Sequence, residues 1–253
     1  MATEPLISII TISWNAGKVI GRTIKSIAEQ TFGDYEHIVI DGKSTDNTLD
    51  IVMELSRKKP IVISEPDKGI YDAMNKGLRI ASGKYVIFMN AGDSFLDCRT
   101  LEKYAMEAGK NKYDIIYGDT VIVNDAGDII CPRHLSAPQA LTPRSYLNGM
   151  LVCHQSFMVR KSIAPQYDTA YKFSADYLWC LSCIKNTKAD KCRNLNSVVT
   201  KYLAEGTTDK NMKSSLKERF HIMCDQFGML MTVTVHLKFA IRFLIRKISQ
   251  KKK

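Results

Sequence analysis

Leu6 to Ile12 reads LISIITI, an unbroken β-branched run of the kind that fills a strand buried on both faces. Ser13-Trp14-Asn15-Ala16-Gly17 ends it, and Val19, Ile20, Thr23, Ile24 and Ile27 then recur at helical spacing to about Thr31. Tyr35 to Ile40 predicts a second strand closing at Asp41. Ser44-Thr45-Asp46-Asn47 supplies N-cap chemistry for a helix through about Arg57. A short strand at Ile61 to Ser64, a helix over Ile70 to Ile80 closed by Ser82-Gly83, and a strand from Lys84 to Met89 follow. Strand and helix thus alternate with short connections, which predicts a parallel sheet with helices on both faces.

Beyond residue 98 the rhythm changes. A helix over about 100–109 precedes strands at Tyr113 to Tyr117 and Thr120 to Val123, and Asn124-Asp125-Ala126-Gly127 predicts a hairpin into Asp128 to Cys131. Residues 132–149 carry Pro132, Pro138 and Pro143 and read as loop. His154 to Val159 reads as a strand, Ala175 to Ile184 as a helix and Ser197 to Leu203 as a last strand, with helix from Asn211 onward. No internal repeat or low-complexity linker interrupts the chain. The division expected is an α/β domain over 1–208 and a helical appendage over 209–253.

Charge sharpens this picture because it is uneven. The 253 residues carry a net +10, of which seven cations lie in 238–253 (Lys238, Arg242, Arg246, Lys247, Lys251, Lys252 and Lys253) with no acid among them. The remainder carries only +3, and aromatic residues do not interleave with a basic face, so no nucleic-acid partner is expected. Seven cysteines without regular spacing argue against a disulfide scaffold and for a reducing compartment. The start, MATEPLISII, lacks the pattern of a signal peptide, and no uncharged apolar run reaches the roughly 18 residues of a spanning helix. A cytoplasmic protein follows.

In an open parallel sheet, ligands sit beyond the carboxyl ends of the strands. The residues there are Trp14 and Asn15, then Asp41, then Glu65 and Asp67, then Asn90 and Asp93. No G-x-G-x-x-G follows the first strand, which weighs against a dinucleotide site. Asp and Asn are also good turn residues, and for Asp46 and Asp50 that reading suffices.

The segments ITISWNAG, EHIVIDGKSTDNT and SEPDKGIYDAMNKGLRIASGKYVIFMNAGDSF, in that order, resemble the nucleotide-binding half of family-2 glycosyltransferases with the GT-A fold. The similarity is to the bacterial branch that builds capsule, exopolysaccharide or O-antigen, including colanic-acid glycosyltransferases. It is strong over 6–97, the nucleotide-sugar half. It continues through His154-Gln155 and YDTAYKFSADYLW to about 208, making 98–208 the acceptor half. The resemblance implies that Trp14, with Asn15, lies near the base and that Asp41 accepts a hydrogen bond from it. Ser44 and Asp46 complete a D-G-x-S-x-D run. Asp67 and the Asp72 to Gly77 helix line the ribose and diphosphate, with Asn75 or Lys76 facing the donor; Lys76 is otherwise a solvated helix charge.

Asn90-Ala91-Gly92-Asp93 replaces the family's paired-acid signature, leaving Asp93 as the single metal carboxylate. Mg²⁺ is commonly held by one or two carboxylates plus phosphates and water, so Mg²⁺ or Mn²⁺ on Asp93 is the implied cofactor. Asp176 stands at the second-half acid, where many relatives have Glu-Asp, and becomes the candidate general base. A structural acid at a helix start is the alternative. His154 and Gln155 line the acceptor site or assist the leaving group, unless His154 is a hydrogen-bonded strand-end histidine. Tyr202 to Thr208 corresponds to a Gly-Gly-Ser-like loop in which Glu205 replaces a glycine. Cys180-x-x-Cys183 with Cys192 and His221-x-x-Cys224 allows a zinc site, but small apolar core cysteines account for the pair better.

The resemblance therefore implies an inverting transfer from a nucleotide-diphospho-sugar to a glycan hydroxyl, carried on a polyprenyl diphosphate. A non-catalytic nucleotide-sugar sensor or assembly subunit is the alternative that the missing second acids support. From Gly228 on, Leu230, Met231, Val233, Leu237, Ile241, Leu244, Ile245 and Ile248 recur at helical spacing beside Lys238, Arg242 and Arg246. Such a helix suits the headgroup layer, so 228–253 is expected on the cytoplasmic face of the plasma membrane, against anionic lipid.

Overall fold

A computed structural model describes residues 4–204 and 211–250, with side chains as far as Ile241. Glu205 to Thr208 and the cationic side chains beyond Ile241 lie outside the described residues. The first half alternates as the apolar runs dictate: β1 (Ile7–Ser13), α1 (Ile20–Ala28), β2 (Tyr35–Asp41), α2 (Thr48–Leu55), β3 (Ile61–Ser64), α3 (Ile70–Ile80) and β4 (Tyr85–Phe88). Two-residue β5 (Ser94–Phe95), α4 (Thr100–Gly109), β6 (Ile115–Val123), β7 (Ile129–Pro132), β8 (Phe157–Arg160), α5 (Ala175–Lys185) and β9 (Cys192–Leu203) complete the sheet. Helices α6 (Met212–Phe227) and α7 (Met229–Gln250) follow.

Among the described residues one sheet runs β3-β2-β1-β4-β8-β6-β9-β5, with β7 paired to β6. The pairs β3·β2, β2·β1, β1·β4 and β6·β9 are parallel; those of β8, β5 and β7 are antiparallel. Alternation sorts the core into layers. Ile10 and Ile12, Ile38 and Ile40, and Val86 and Phe88 meet α3 and α5, whereas Ile7, Ile9, Tyr85 and Ile87 meet α1 and α4. Gly77 lets α3 close onto β1, where an added Cβ would lie 2.4 Å from Ile10 Cγ2.

The second half departs from the sequence pattern in four places. The strands expected at 113–117 and 120–123 are one strand, β6, irregular in its pairing with β9 near Gly118. The strand expected from His154 begins only at Phe157, because His154–Ser156 form a 3₁₀ turn. Strand β9 starts at Cys192 rather than Ser197. The C-terminal helix is two helices, broken at Gly228, whose φ of +86° favours glycine. Ile222 and Met223 of α6 and Val235 of α7 are buried in the same core as Trp179, Cys180 and Cys183.

A candidate active site at the carboxyl edge of the sheet

The loop after β1 is stitched to the loop after β2. Asn15, in the left-handed region at φ 45°, donates its N–H to Ser44 Oγ (2.8 Å) and accepts from Thr45 N on Oδ1 (2.9 Å). Gly17 N–H binds Asp46 Oδ2 (3.0 Å), and Thr48 bonds Asp46 Oδ1 through both N–H and Oγ1. Asp41 is fully buried and accepts from Ser13 Oγ, Ser44 Oγ, Ser44 N and Ser64 Oγ. With four donors on its two oxygens, Asp41 could take a further one only by exchanging a serine. Trp14 stands 69% exposed beside Gly42, where an added Cβ would meet Trp14 Cδ1 at 3.3 Å and Asp67 Oδ2 at 2.7 Å. Trp14 and Asp67 therefore both close on Gly42, which has no room for a side chain.

Helix α3 joins the first half of the chain to the second. Asn75 is buried with both ends engaged, Nδ2 to Tyr167 O (2.9 Å) and Oδ1 from Tyr167 N (2.7 Å), and so clamps the two halves together. Lys76 is not a solvated charge: its ammonium pairs with Glu65 (2.9 Å) and Pro66 O (2.8 Å), with 13% of the side chain exposed. Tyr71 stacks on Tyr167, which stacks on Trp179, continuing the seam from α3 to α5.

Across that seam the remaining candidates converge. Asp93, 5% exposed, accepts from Gln155 Nε2 (2.6 Å) and Leu203 N–H (3.0 Å). Burial raises its carboxyl to about 6 despite those donors, since desolvation disfavours the charge. Asn90 Nδ2 lies 3.2 Å from His154 Nε2, and His154 Nδ1 lies 3.5 Å from Asp176 Oδ2. An amide nitrogen only donates, so Nε2 accepts and Nδ1 carries the proton facing Asp176. Asp176 also accepts from Tyr71 OH (3.2 Å) and Tyr177 N–H (2.8 Å) on Oδ1. Burial pushes the Asp176 carboxyl up, but the His154 hydrogen bond and charge, the Tyr177 N–H and the Arg219 charge outweigh it. The group sits below its ordinary range.

Several contributors carry no motif. Thr23 of α1 accepts from Gly92 N–H and donates to Asp93 O, Arg22 donates to Gly92 O, and the Cys153 thiol donates to Gln155 Oε1. Gly92 has φ +98°, and a Cβ there would lie 2.8 Å from Leu203. Among the described residues no group of three or more His, Cys, Asp or Glu side chains could hold a metal. What the turn offers is a desolvated carboxylate with spare lone pairs and the buried, unpartnered Asn90 Oδ1. That all-oxygen set fits a hard divalent cation completed by substrate oxygens.

Residues 8–167 match the profile of glycosyl transferase family 2. The chain is a family-2 glycosyltransferase. This glycosyltransferase is 32% identical over 206 residues to a PGL/p-HBAD biosynthesis glycosyltransferase of Mycobacterium bovis, covering 78% of this chain and 77% of that one. It is 27% identical over 222 residues, 87% of its own length and 86% of the relative's, to Escherichia coli WfgD, a UDP-Glc:alpha-D-GlcNAc-diphosphoundecaprenol beta-1,3-glucosyltransferase. Its fold is the GT-A fold. S. aureus TarS in complex with UDP-GlcNAc superposes with a TM-score of 0.68 at 19% identity, over 87% of this chain and 65% of that one. The mannosyltransferase PcManGT of Pyrobaculum calidifontis, with GDP-Man and Mn²⁺, gives 0.61 at 14% identity, over 100% and 82%.

Proposed function

We propose that this glycosyltransferase moves a sugar, with inversion, from a nucleotide-diphospho-sugar to a hydroxyl of a polyprenyl-diphosphate-linked glycan. The observation that carries the reading is the pairing of the turn after β4 with the 154–156 turn, Asn90 to His154 and Asp93 to Gln155, with His154 facing Asp176 of α5. Trp14, Asn15, Asp41 and Asp67 border the base and ribose end. Asp176, kept ionised by His154 Nδ1–H, takes the proton of the acceptor hydroxyl as it attacks the anomeric carbon from the face opposite the leaving diphosphate. Asp93 and Asn90 would hold Mg²⁺ or Mn²⁺, which when bound would neutralise charge on the departing nucleoside diphosphate. WfgD, whose name specifies a diphosphoundecaprenol-linked acceptor, supports the lipid-linked substrate.

Helix α7 supports work at a membrane surface. Among the described residues no helix is long and apolar enough to cross a bilayer, yet Met229, Leu230, Val233, Leu237 and Ile241 are exposed on α7. The cations after residue 237 complement anionic headgroups on the cytoplasmic leaflet. The deciding experiment measures acceptor-dependent release of nucleoside diphosphate by the parent and Asp176→Asn. Turnover should fall ~10²–10⁴-fold with donor affinity held within a few-fold. Near-parental turnover would remove Asp176 from the mechanism.

A further inference from the structure

Glu218 of α6 accepts the backbone N–H groups of three consecutive residues far away in the chain. Oε1 takes that of Lys172 (2.9 Å), and Oε2 takes those of Phe173 (2.8 Å) and Ser174 (3.0 Å). Ser174 is the N-cap of α5, and Asp176 lies in that helix's first turn. The Ser174 side chain makes no cap bond of its own; its hydroxyl reaches α6 instead, donating to Ser215 O at 3.0 Å and lying 3.0 Å from Ser215 Oγ. Both serines are buried. A run of N–H groups converging on one point is an anion receptor, and here a side chain fills it. The next residue, Arg219, lies over the Tyr177 ring at 5.5 Å. Neighbouring residues of α6 thus act on the same first turn of α5.

We propose that Glu218 is a positioning residue for the base: by gathering the N–H groups of 172–174 it fixes where Asp176 meets the acceptor hydroxyl. The proposal rests on reading Asp176 as the base. It makes α6 part of the acceptor half, although nothing in its amphipathic pattern marks it as such. A simple tether would also use these bonds, but a tether affects stability and donor binding alike and is indifferent to the residue at 176. Displacing a reacting group by about 1 Å costs on the order of 10²-fold in rate, and that loss is specific to the group displaced.

The test is a double-mutant cycle in the full-length protein, combining Glu218→Ala with Asp176→Asn. Alone, Glu218→Ala should lower kcat about 10–100-fold, with donor KM and the thermal shift on adding nucleotide-sugar within about threefold of the parent. Glu218→Gln, which keeps one acceptor oxygen, should fall between the two. On the Asp176→Asn background the residual turnover should drop less than about twofold. Equal fold-losses on both backgrounds, a parental kcat in Glu218→Ala, or a proportionate rise in donor KM would each overturn the proposal. Should Glu218→Ala not fold, Glu218→Gln runs the same cycle. Normal turnover in Asp176→Asn would overturn both this proposal and the base reading, whereas an inactive Asp176→Asn with additive losses overturns this one alone.

Discussion

Asp93 and His37 are buried in the same α/β domain and titrate in opposite senses. Asp93 is raised by burial from its ordinary 3.8 to about 6, so between those values the folded protein holds a proton that the unfolded chain has released. Stability from this group is full below 3.8 and falls, by on the order of 3 kcal/mol, as pH rises through 6. His37, held on Thr11 Oγ1 at 3.0 Å, is lowered by burial from 6.5 to about 4. Its stability is full above 6.5 and is lost as pH falls toward 4, by a similar amount. Without divalent metal, denaturant unfolding should therefore vary little with pH between 4 and 6 through these two groups. His37→Gln should unmask a decline with rising pH and Asp93→Asn an increase. Slopes of the same sign in both variants would refute this pairing. Cys153 gives a finer test. Its S–H sets the Gln155 amide so that Nε2 faces Asp93, so Cys153→Ser should keep metal affinity and Cys153→Ala weaken it ~10-fold or more. Metal titration of the donor-dependent thermal shift reads it. Asp41, Asp93 and Asp176 were legible because each follows a strand or opens a helix. Thr23 and Glu218 were not, since their partners come from packing: Ser174 lies 44 positions from Glu218.

At the scale of elements, apolar runs located β1, β2 and β4 because each is buried on both faces, so apolar residues stand next to one another instead of alternating with exposed polar ones. The same rule misplaced the start of β8. His154-Gln155-Ser156 are buried as well, but Ser156 N–H bonds Cys153 O at 2.9 Å, and the 3₁₀ turn lifts His154 and Gln155 out of the ladder and into the site. Strand β9 was read short because its first residues are half-exposed and carry no alternation, and β5 is too brief to have a period. Helix α3 shows how close the layers come. Gly77→Ala should gain helix propensity yet destabilise by about 1–3 kcal/mol, because its methyl would drive into Ile10 of β1. Urea unfolding at constant m-value checks it.

For the whole molecule, the net charge of +10 is misleading until it is located. Seven of the cations fall in 238–253, four of them within the span of α7, whose Leu230, Val233 and Leu237 are exposed, so salt and lipid are the variables to change together. A chain ending at residue 227 should keep donor binding, since Glu218 and the buried Ile222 and Met223 remain, and should no longer sediment with anionic vesicles. High salt should release the intact protein only in part, the apolar contacts being insensitive to screening. Failure of the intact chain to bind such vesicles at low salt would leave α7 without a lipid surface. Salt-independent binding would point to apolar contact alone.

Gly228 gives this arrangement a further property. Its N–H bonds Cys224 O, while its carbonyl takes both the N–H and the hydroxyl of Thr232, which is fully buried. With Phe220 of α6 edge-on to His236 of α7 at 5.1 Å and Val235 buried in the same core as Ile222, the joint between α6 and α7 is a braced bracket rather than a swivel. An enzyme lying on its long arm would hold Asp176 at one set height above the lipid surface and behave as a ruler. Among membrane-borne acceptors, turnover should then depend on how many units separate the hydroxyl from its lipid. Soluble analogues of the same sugars, free to approach from any height, should show no such preference.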